Sequence, residues 1–109
     1  MKKAGLALLF LSLALAGHAQ LLVLISKDKN GAIAQWLKRN QPELQTVEFY
    51  TAPATSMDSL LKRASGIVIG GGEDIAPELY GKPEYQTLCG KIDPFRDSLE
   101  MVLINYARV

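Results

Sequence analysis

A glycine-rich segment, residues 66–81, constrains the fold of this chain more than any other stretch. It opens with the apolar run Gly66-Ile67-Val68-Ile69 and continues with Gly70-Gly71-Gly72. A short apolar run bounded by glycine predicts a buried strand, and consecutive glycines predict a turn that other groups approach closely. In open parallel sheets, ligands bind beyond the carboxyl ends of the strands. We therefore expect a ligand site at the loop that follows this strand.

Two further strands are predicted upstream of the glycine segment. The continuous apolar run from Leu21 to Ile25 is typical of a central strand that is covered on both faces. The β-prone residues from Thr46 to Tyr50 predict a second strand, in which Val47 and Phe49 share one face. Strands and helices alternate with short connections, which predicts an α/β fold with a parallel sheet.

Three helices are predicted between and after these strands. The first shows helical spacing of apolar residues at Ile33, Trp36 and Leu37. We expect Trp36 in the core on this basis. Thr55 and Asp58 have the spacing of a capping box at the start of the second helix. Asp93 and Pro94 favour the N-cap and first position of the third, for which we expect a buried face at Phe95, Leu99, Val102, Leu103 and Tyr106. Residues 77–89 show no periodicity and are interpreted as an ordered loop or lid.

The first 19 residues are typical of a secretory signal peptide. Lys2 and Lys3 precede the apolar run 4–16, and Gly17-His18-Ala19 offers small residues at a cleavage site. A membrane anchor is the alternative, but the run is shorter than the roughly 20 residues that span a bilayer. We expect residues 1–19 to be removed and residues 20–109 to be exported as a periplasmic or secreted domain, with no membrane association after cleavage.

The amino-acid composition argues against nucleic-acid binding and against an internal disulfide. Twelve basic residues balance 11 acidic ones, giving a net charge of +1, and the basic residues are scattered. The sequence therefore offers no basic patch for nucleic acid. Cys89 is the only cysteine, so an internal disulfide is excluded within these 109 residues.

Two motifs resemble one enzyme family. The first runs from Gly66 to Ile75 and continues at Pro77 and Leu79-Tyr80-Gly81; the second is Asp93-Pro94-Phe95-Arg96-Asp97 with Glu100. In this order and spacing they resemble the gamma-glutamyl-gamma-aminobutyrate hydrolases of the class I glutamine amidotransferase-like superfamily. The resemblance starts at Leu21 and covers only the N-terminal part of a family member. It implies a flavodoxin-like sandwich of which this chain holds the first three strands and their helices.

The resemblance also implies a reaction, namely hydrolysis of a gamma-glutamyl amide by a cysteine nucleophile with a histidine base and an acid. It implies no cofactor and no metal. The nucleophile is expected on a turn after the next strand, beyond Val109, and His18 lies in the leader. Cys89 neither follows a strand nor opens a helix, so we interpret it as an ordinary loop thiol. We expect these 109 residues alone to be inactive.

Four site residues have two interpretations each. Gly71 and Gly72 match the family's glycine pair, which supplies a backbone N–H to an oxyanion hole; the alternative is a tight turn. Glu73 and Asp74 are interpreted as holding the loop by accepting backbone amides rather than as a catalytic pair.

Further along the chain, Arg96 is a candidate for binding the glutamyl end of the substrate. Alternatively, it forms a structural ion pair with Glu100, four residues later. Tyr80 and Tyr85 either line the site or simply pack.

Two hypotheses compete with the hydrolase fragment. One is a non-catalytic exported binding or interaction module derived from the same fold, and the other is a complete small enzyme that uses Cys89. In a flavodoxin-like sheet, the strand from Gly66 to Ile69 would expose an edge without its next neighbour. Because such edges pair with other chains, we expect self-association through this strand.

Overall fold

A three-stranded parallel sheet organises residues 20–108, the part of the chain that the computed structural model describes. The signal peptide predicted for residues 1–19 lies outside the described residues. The strands and α-helices are β1 Leu22–Ile25, α1 Ala32–Asn40, β2 Gln45–Glu48, α2 Met57–Arg63, β3 Gly66–Val68 and α3 Pro94–Ala107.

The strand order β2-β1-β3 makes β1 the central strand. Both pairings are parallel, and Leu24 lies opposite Val47 on β2 and Ile67 on β3. The α/β class, the parallel sheet and the central position of β1 are thereby confirmed. This order matches the first three strands of a flavodoxin-like sheet. The carboxyl ends of all three strands lie at the same end of the sheet, and the loops that follow β1, β2 and β3 leave the sheet there.

The core lies on the side of the sheet that α2 and α3 cover. Its buried residues come from every strand–helix unit: Leu22, Leu24, Phe49, Leu60, Leu61, Leu99 and Leu103. Leu24, Phe49 and Leu103 are fully buried. Burying a leucine or phenylalanine side chain stabilises a fold by roughly 1.5–3 kcal/mol, so this cluster holds the helices against the sheet.

Two predictions about helix faces are wrong. Trp36 is 61% exposed and therefore lies outside the core, on a helix α1 that has no buried residue. On α3, Leu99 and Leu103 are buried as predicted, but the prediction is wrong for Phe95, Val102 and Tyr106, which are exposed. Its buried face includes the charged residues Arg96 and Glu100, which can enter the interior because they pair with each other.

The caps of the helices follow local rules only in part. Asp93 accepts a hydrogen bond from Arg96 N–H at 3.1 Å, with Pro94 in the first turn, so the predicted start of α3 is confirmed. The capping box at Thr55 and Asp58 is wrong. Helix α2 follows Ser56, whose side chain makes no capping hydrogen bond.

The segment between β3 and α3 is more regular than predicted. It contains two 3₁₀ helices, Pro77–Tyr80 and Pro83–Leu88, and a parallel bridge between Asp74 and Ile92. Within residues 20–108, no helix has the length and hydrophobicity to cross a lipid bilayer.

We predict that Gly70→Ala destabilises the fold, whereas Gly71→Ala does not. A Cβ on Gly70 would lie 2.1 Å from the carbonyl oxygen of Lys27, so the backbone would have to move; a Cβ on Gly71 would meet nothing within 4 Å. We expect Gly70→Ala to lower the free energy of unfolding by about 2 kcal/mol, as overpacking does. Urea denaturation followed by circular dichroism checks this, and equal stability of the two variants would contradict it.

Candidate active site

A cleft of about 710 Å³ opens beyond the carboxyl ends of the strands. The loops after β1, β2 and β3 form its walls. Its lining residues are Lys27, Asp28, Lys29, Glu48, Tyr50, Thr51, Gly71, Gly72 and Glu73. This is the position in which open parallel sheets bind ligands.

The glycine loop enters this cleft from β3. Gly70 N–H donates a hydrogen bond to the buried Ser26 Oγ at 2.8 Å, which ties the start of the loop to the end of β1. Gly71 and Gly72 are exposed, and both line the cleft. Gly72 has φ 151°, and a Cβ there would lie 3.0 Å from a guanidinium nitrogen of Arg96. The second glycine is therefore required both by its backbone conformation and by the close approach of Arg96.

Glu73 fixes the far end of the glycine loop through both carboxylate oxygens. One oxygen accepts from Lys27 Nζ at 2.9 Å, and the other pairs with the Arg96 guanidinium at 3.2 Å. Arg96 also donates to the backbone carbonyl of Glu73 at 2.6 Å. Lys27 follows β1 and Arg96 lies on α3, so this carboxylate joins the central strand, the loop and the last helix.

Lys27 extends the network to the start of α3. Its ammonium lies 3.1 Å from Asp93 Oδ2 and 4.5 Å from the centre of the Tyr50 ring. Tyr50 donates its hydroxyl hydrogen to the same Asp93 oxygen at 2.8 Å, and its ring packs edge-on against Phe95. The N-cap of α3 is thereby bound to the ends of β1 and β2.

Beneath the cleft, Arg96 and Glu100 form a buried ion pair. Arg96 Nε donates to Glu100 Oε1 at 2.9 Å, and each residue is 5% exposed. Ser26 Oγ donates to the same carboxylate oxygen at 2.9 Å. The predicted ion pair between Arg96 and Glu100 is confirmed, and it lies in the interior rather than on the surface.

These contacts set the ionisation of the network. The Lys27 ammonium, the amide of Glu73 itself and the Arg96 guanidinium lower the pKa of the Glu73 carboxyl to about 2. Hydrogen bonds from Tyr50, the Arg96 amide and Lys27 lower the pKa of Asp93 to about 2. The pKa of Lys27 is raised by Glu73 and Asp93, and the pKa of Arg96 is raised chiefly by Glu100. Lys27, Glu73, Asp93 and Arg96 are therefore charged at neutral pH.

The loop before α3 is held by two other carboxylates. Asp74 Oδ2 accepts from Gly90 N–H at 2.7 Å, as predicted for a residue that holds the loop. Asp97, buried on α3, accepts from Ala76 N–H at 3.1 Å. Glu73 also holds the loop, but its carboxylate does so mainly through the side chains of Lys27 and Arg96 rather than through backbone amides alone.

Cys89 lies apart from the two exposed glycines. It ends the second 3₁₀ helix and lines a separate pocket of about 480 Å³, together with Glu73, Asp74, Ile75, Tyr80 and Arg96. The pKa of Tyr80 is raised, first by loss of solvation and then by its contact with Cys89. Of the two tyrosines with two interpretations, Tyr80 lines this pocket. The ring of Tyr85 instead lies under the ammonium of Lys82. The described residues include no histidine that would activate the thiol.

Sequence reasoning identified the glycines, Arg96 and Glu100, but missed Ser26, Lys27 and Tyr50. Each missed residue directly follows β1 or lies just beyond β2. Their positions just after β1 and β2 could have indicated these residues, because ligands bind beyond the carboxyl ends of neighbouring parallel strands. Among residues 20–108, no group of three or more His, Cys, Asp or Glu side chains is arranged to hold a metal ion.

Comparison with protein families gives one result. The family model described as Peptidase C26 matches residues 44–108, which include β2, β3, the glycine loop and α3. No curated protein and no solved structure gave a significant match to the chain.

We predict that acid weakens the fold through Glu73 and Asp93. Both carboxyls have a pKa of about 2 when folded, against ordinary values of 4.5 and 3.8, so the unfolded chain binds more protons in acid. Their contribution to the free energy of unfolding is complete above about pH 4.5 and is lost as the pH falls towards 2. Urea midpoints measured between pH 6 and pH 2.5 follow this loss.

Glu73→Gln should flatten this acid dependence, because a neutral side chain binds no proton in this range. Glu84→Gln is the matched control, since Glu84 is exposed on the second 3₁₀ helix. Equal slopes in the two variants would contradict the assignment of the acid response to Glu73.

Proposed function

The chain belongs to the peptidase C26 family of class I glutamine amidotransferase-like proteins, and from this membership and the cleft we propose that the intact enzyme hydrolyses gamma-glutamyl amides through a cysteine nucleophile. The observation that carries the proposal is the position of Gly71 and Gly72 in the cleft, beyond the carboxyl end of β3. Peptidase or amidase chemistry follows from the family, and the gamma-glutamyl substrate is the finer step proposed here.

The two glycines are the proposed oxyanion donors. Acyl transfer to a thiolate places negative charge on the carbonyl oxygen of the substrate, and a preorganised N–H that points at this oxygen stabilises the transition state. Within the described residues, neither Gly71 N–H nor Gly72 N–H donates a hydrogen bond to a protein acceptor. Both amides are thus available to a substrate oxygen. Removing one such donor typically lowers kcat by roughly 10²–10³.

The nucleophile of the proposed reaction is a residue outside these 109. Cys89 lies in a different pocket from Gly71, and the single histidine is His18, in the predicted leader. A cysteine without a base and without an oxyanion donor lacks two of the elements that acyl transfer requires. These 109 residues alone are therefore proposed to be inactive.

Arg96 is assigned a structural part in this proposal. Its Nε binds Glu100 and its NH1 binds Glu73, and the side chain is buried beneath the glycine loop. To contact a substrate carboxylate, Arg96 would first have to leave Glu73, which would break two of the contacts that hold the loop. The proposed setting is outside the cytoplasm, as the leader-like residues 1–19 favour.

A second candidate function, an exported interaction module that self-associates, is favoured by the free edge of β3. Among residues 20–108, this strand pairs only with β1, so within the described part of the chain its other edge carries unpaired backbone groups. Ile69, the residue that follows this strand, is exposed. An edge of this kind pairs with a strand of another chain, including a second copy.

The hydrolase proposal predicts different activities for these 109 residues alone and for a longer chain that carries the proposed cysteine with its histidine and acid partners. We expect such a longer chain to release p-nitroaniline from gamma-glutamyl-p-nitroanilide but not from the alpha-linked isomer. The chain of 109 residues should release none from either compound. Hydrolysis by the 109-residue chain that Cys89→Ala abolishes would contradict the proposal and favour the small Cys89 enzyme.

The interaction proposal predicts that Ile69→Lys lowers self-association. A charge at this edge opposes strand pairing between copies. Leu88→Lys is the control, because Leu88 is 79% exposed and lies on the second 3₁₀ helix, outside the sheet. Sedimentation velocity over a range of concentrations measures the effect. A concentration-independent monomer for the unaltered chain would rule out assembly through β3.

A further inference from the structure

Lys27 binds Glu73, the residue that directly follows the proposed oxyanion donors Gly71 and Gly72. It follows the central strand β1 and lines the same cleft as Gly71 and Gly72. Its side chain is only partly exposed, at 26%, and its ammonium contacts two carboxylates and one aromatic ring. Each of these groups comes from a different part of the chain: Glu73 from the glycine loop, Asp93 from the start of α3 and Tyr50 from the loop after β2.

The hydrogen bonds of the loop show how a change at Lys27 reaches the glycines. Gly70 is fixed at one end by Ser26 Oγ, and Glu73 is fixed at the other by Lys27 and Arg96. Between these anchors, Gly71 and Gly72 make no hydrogen bond within the described residues. The orientation of the Gly71 and Gly72 backbone is therefore set by the contacts of Gly70 on one side and of Glu73 on the other. Arg96 binds one carboxylate oxygen of Glu73 and its carbonyl, whereas Lys27 is the side chain that binds the other carboxylate oxygen within the described residues.

We propose that Lys27 is a positioning residue of the hydrolase: it binds Glu73 Oε1 and thereby keeps the N–H groups of Gly71 and Gly72 directed into the cleft. The inference rests on the proposed function, since it concerns the donors of that reaction. Lys27 acts through Glu73 and does not touch the reacting atoms. Its charge is matched by Glu73 and Asp93, so the role is geometric rather than that of a free cation in the cleft.

Lys29 provides a matched control. It lines the same cleft and carries the same charge, but it is exposed and forms no ion pair within the described residues. A general effect of positive charge in the cleft would respond equally to the loss of either lysine. A positioning effect responds to Lys27 alone.

The test uses ¹H–¹⁵N NMR of the 109-residue chain, with the amides of Gly71 and Gly72 assigned and acetate as the carboxylate probe. In Lys27→Met we expect both glycine amides to shift and the acetate affinity at these amides to fall at least about tenfold, the loss expected when a hydrogen-bond donor is misdirected. Lys29→Met should leave both glycine amides at the positions that they have in the unaltered chain. Lys27→Arg, which keeps a donor for Glu73, should restore the amide positions.

A second variant keeps the test decisive if Lys27→Met does not fold. Glu73→Gln removes the partner while Lys27 remains, and it should displace the same two amides in the same direction. Unchanged glycine amides in Lys27→Met, or equal changes in Lys29→Met, would overturn the proposal. If the unaltered chain binds no acetate at these amides, the oxyanion role of the loop fails, whereas the amide shifts still decide the role of Lys27.

Discussion

The carboxylate of Glu73 is the contact on which the candidate site depends. It bridges Lys27, after the central strand, and Arg96, on the last helix, and its carbonyl also accepts from Arg96. A partly buried carboxylate between two cations is held more firmly than an exposed pair, because solvent screens it less. The glycines before it carry no side chain that could anchor them. The order of the glycine loop therefore comes from its neighbours on either side.

The sheet makes this arrangement possible. Parallel strands in the order β2-β1-β3 bring three loops to one edge, and the last helix starts at the same place through its Asp93 cap. Beneath the carboxyl ends of the strands, the interior holds a buried ion pair between Arg96 and Glu100. The Glu100 carboxylate also accepts a hydrogen bond from the Ser26 hydroxyl. Breaking a buried pair typically costs roughly 3–5 kcal/mol, so the pair resists movement of α3 away from the sheet. The cleft thus has rigid walls below and an open face above.

Most local structure could be predicted from the sequence, apart from the capping box at Thr55 and Asp58, whereas contacts between distant segments could not. The glycine turn and the Asp93 cap follow from backbone conformation and from hydrogen bonding over a few residues. The bonds between Lys27 and Glu73, Tyr50 and Asp93, and Ser26 and Glu100 join residues 46, 43 and 74 positions apart. No local pattern encodes such pairings. Trp36 was misplaced for a related reason, since helical spacing predicts an apolar stripe but not how much of it the sheet covers.

A ¹³C NMR titration of the Glu73 carboxyl tests the central claim most directly. If Lys27 and Arg96 hold this carboxylate as described, its pKa lies at about 2, well below the ordinary value of 4.5. A single titration step near 4.5 would show that Glu73 is free in solution. The glycine loop would then have no anchor at its far end, and the account of the site would be wrong.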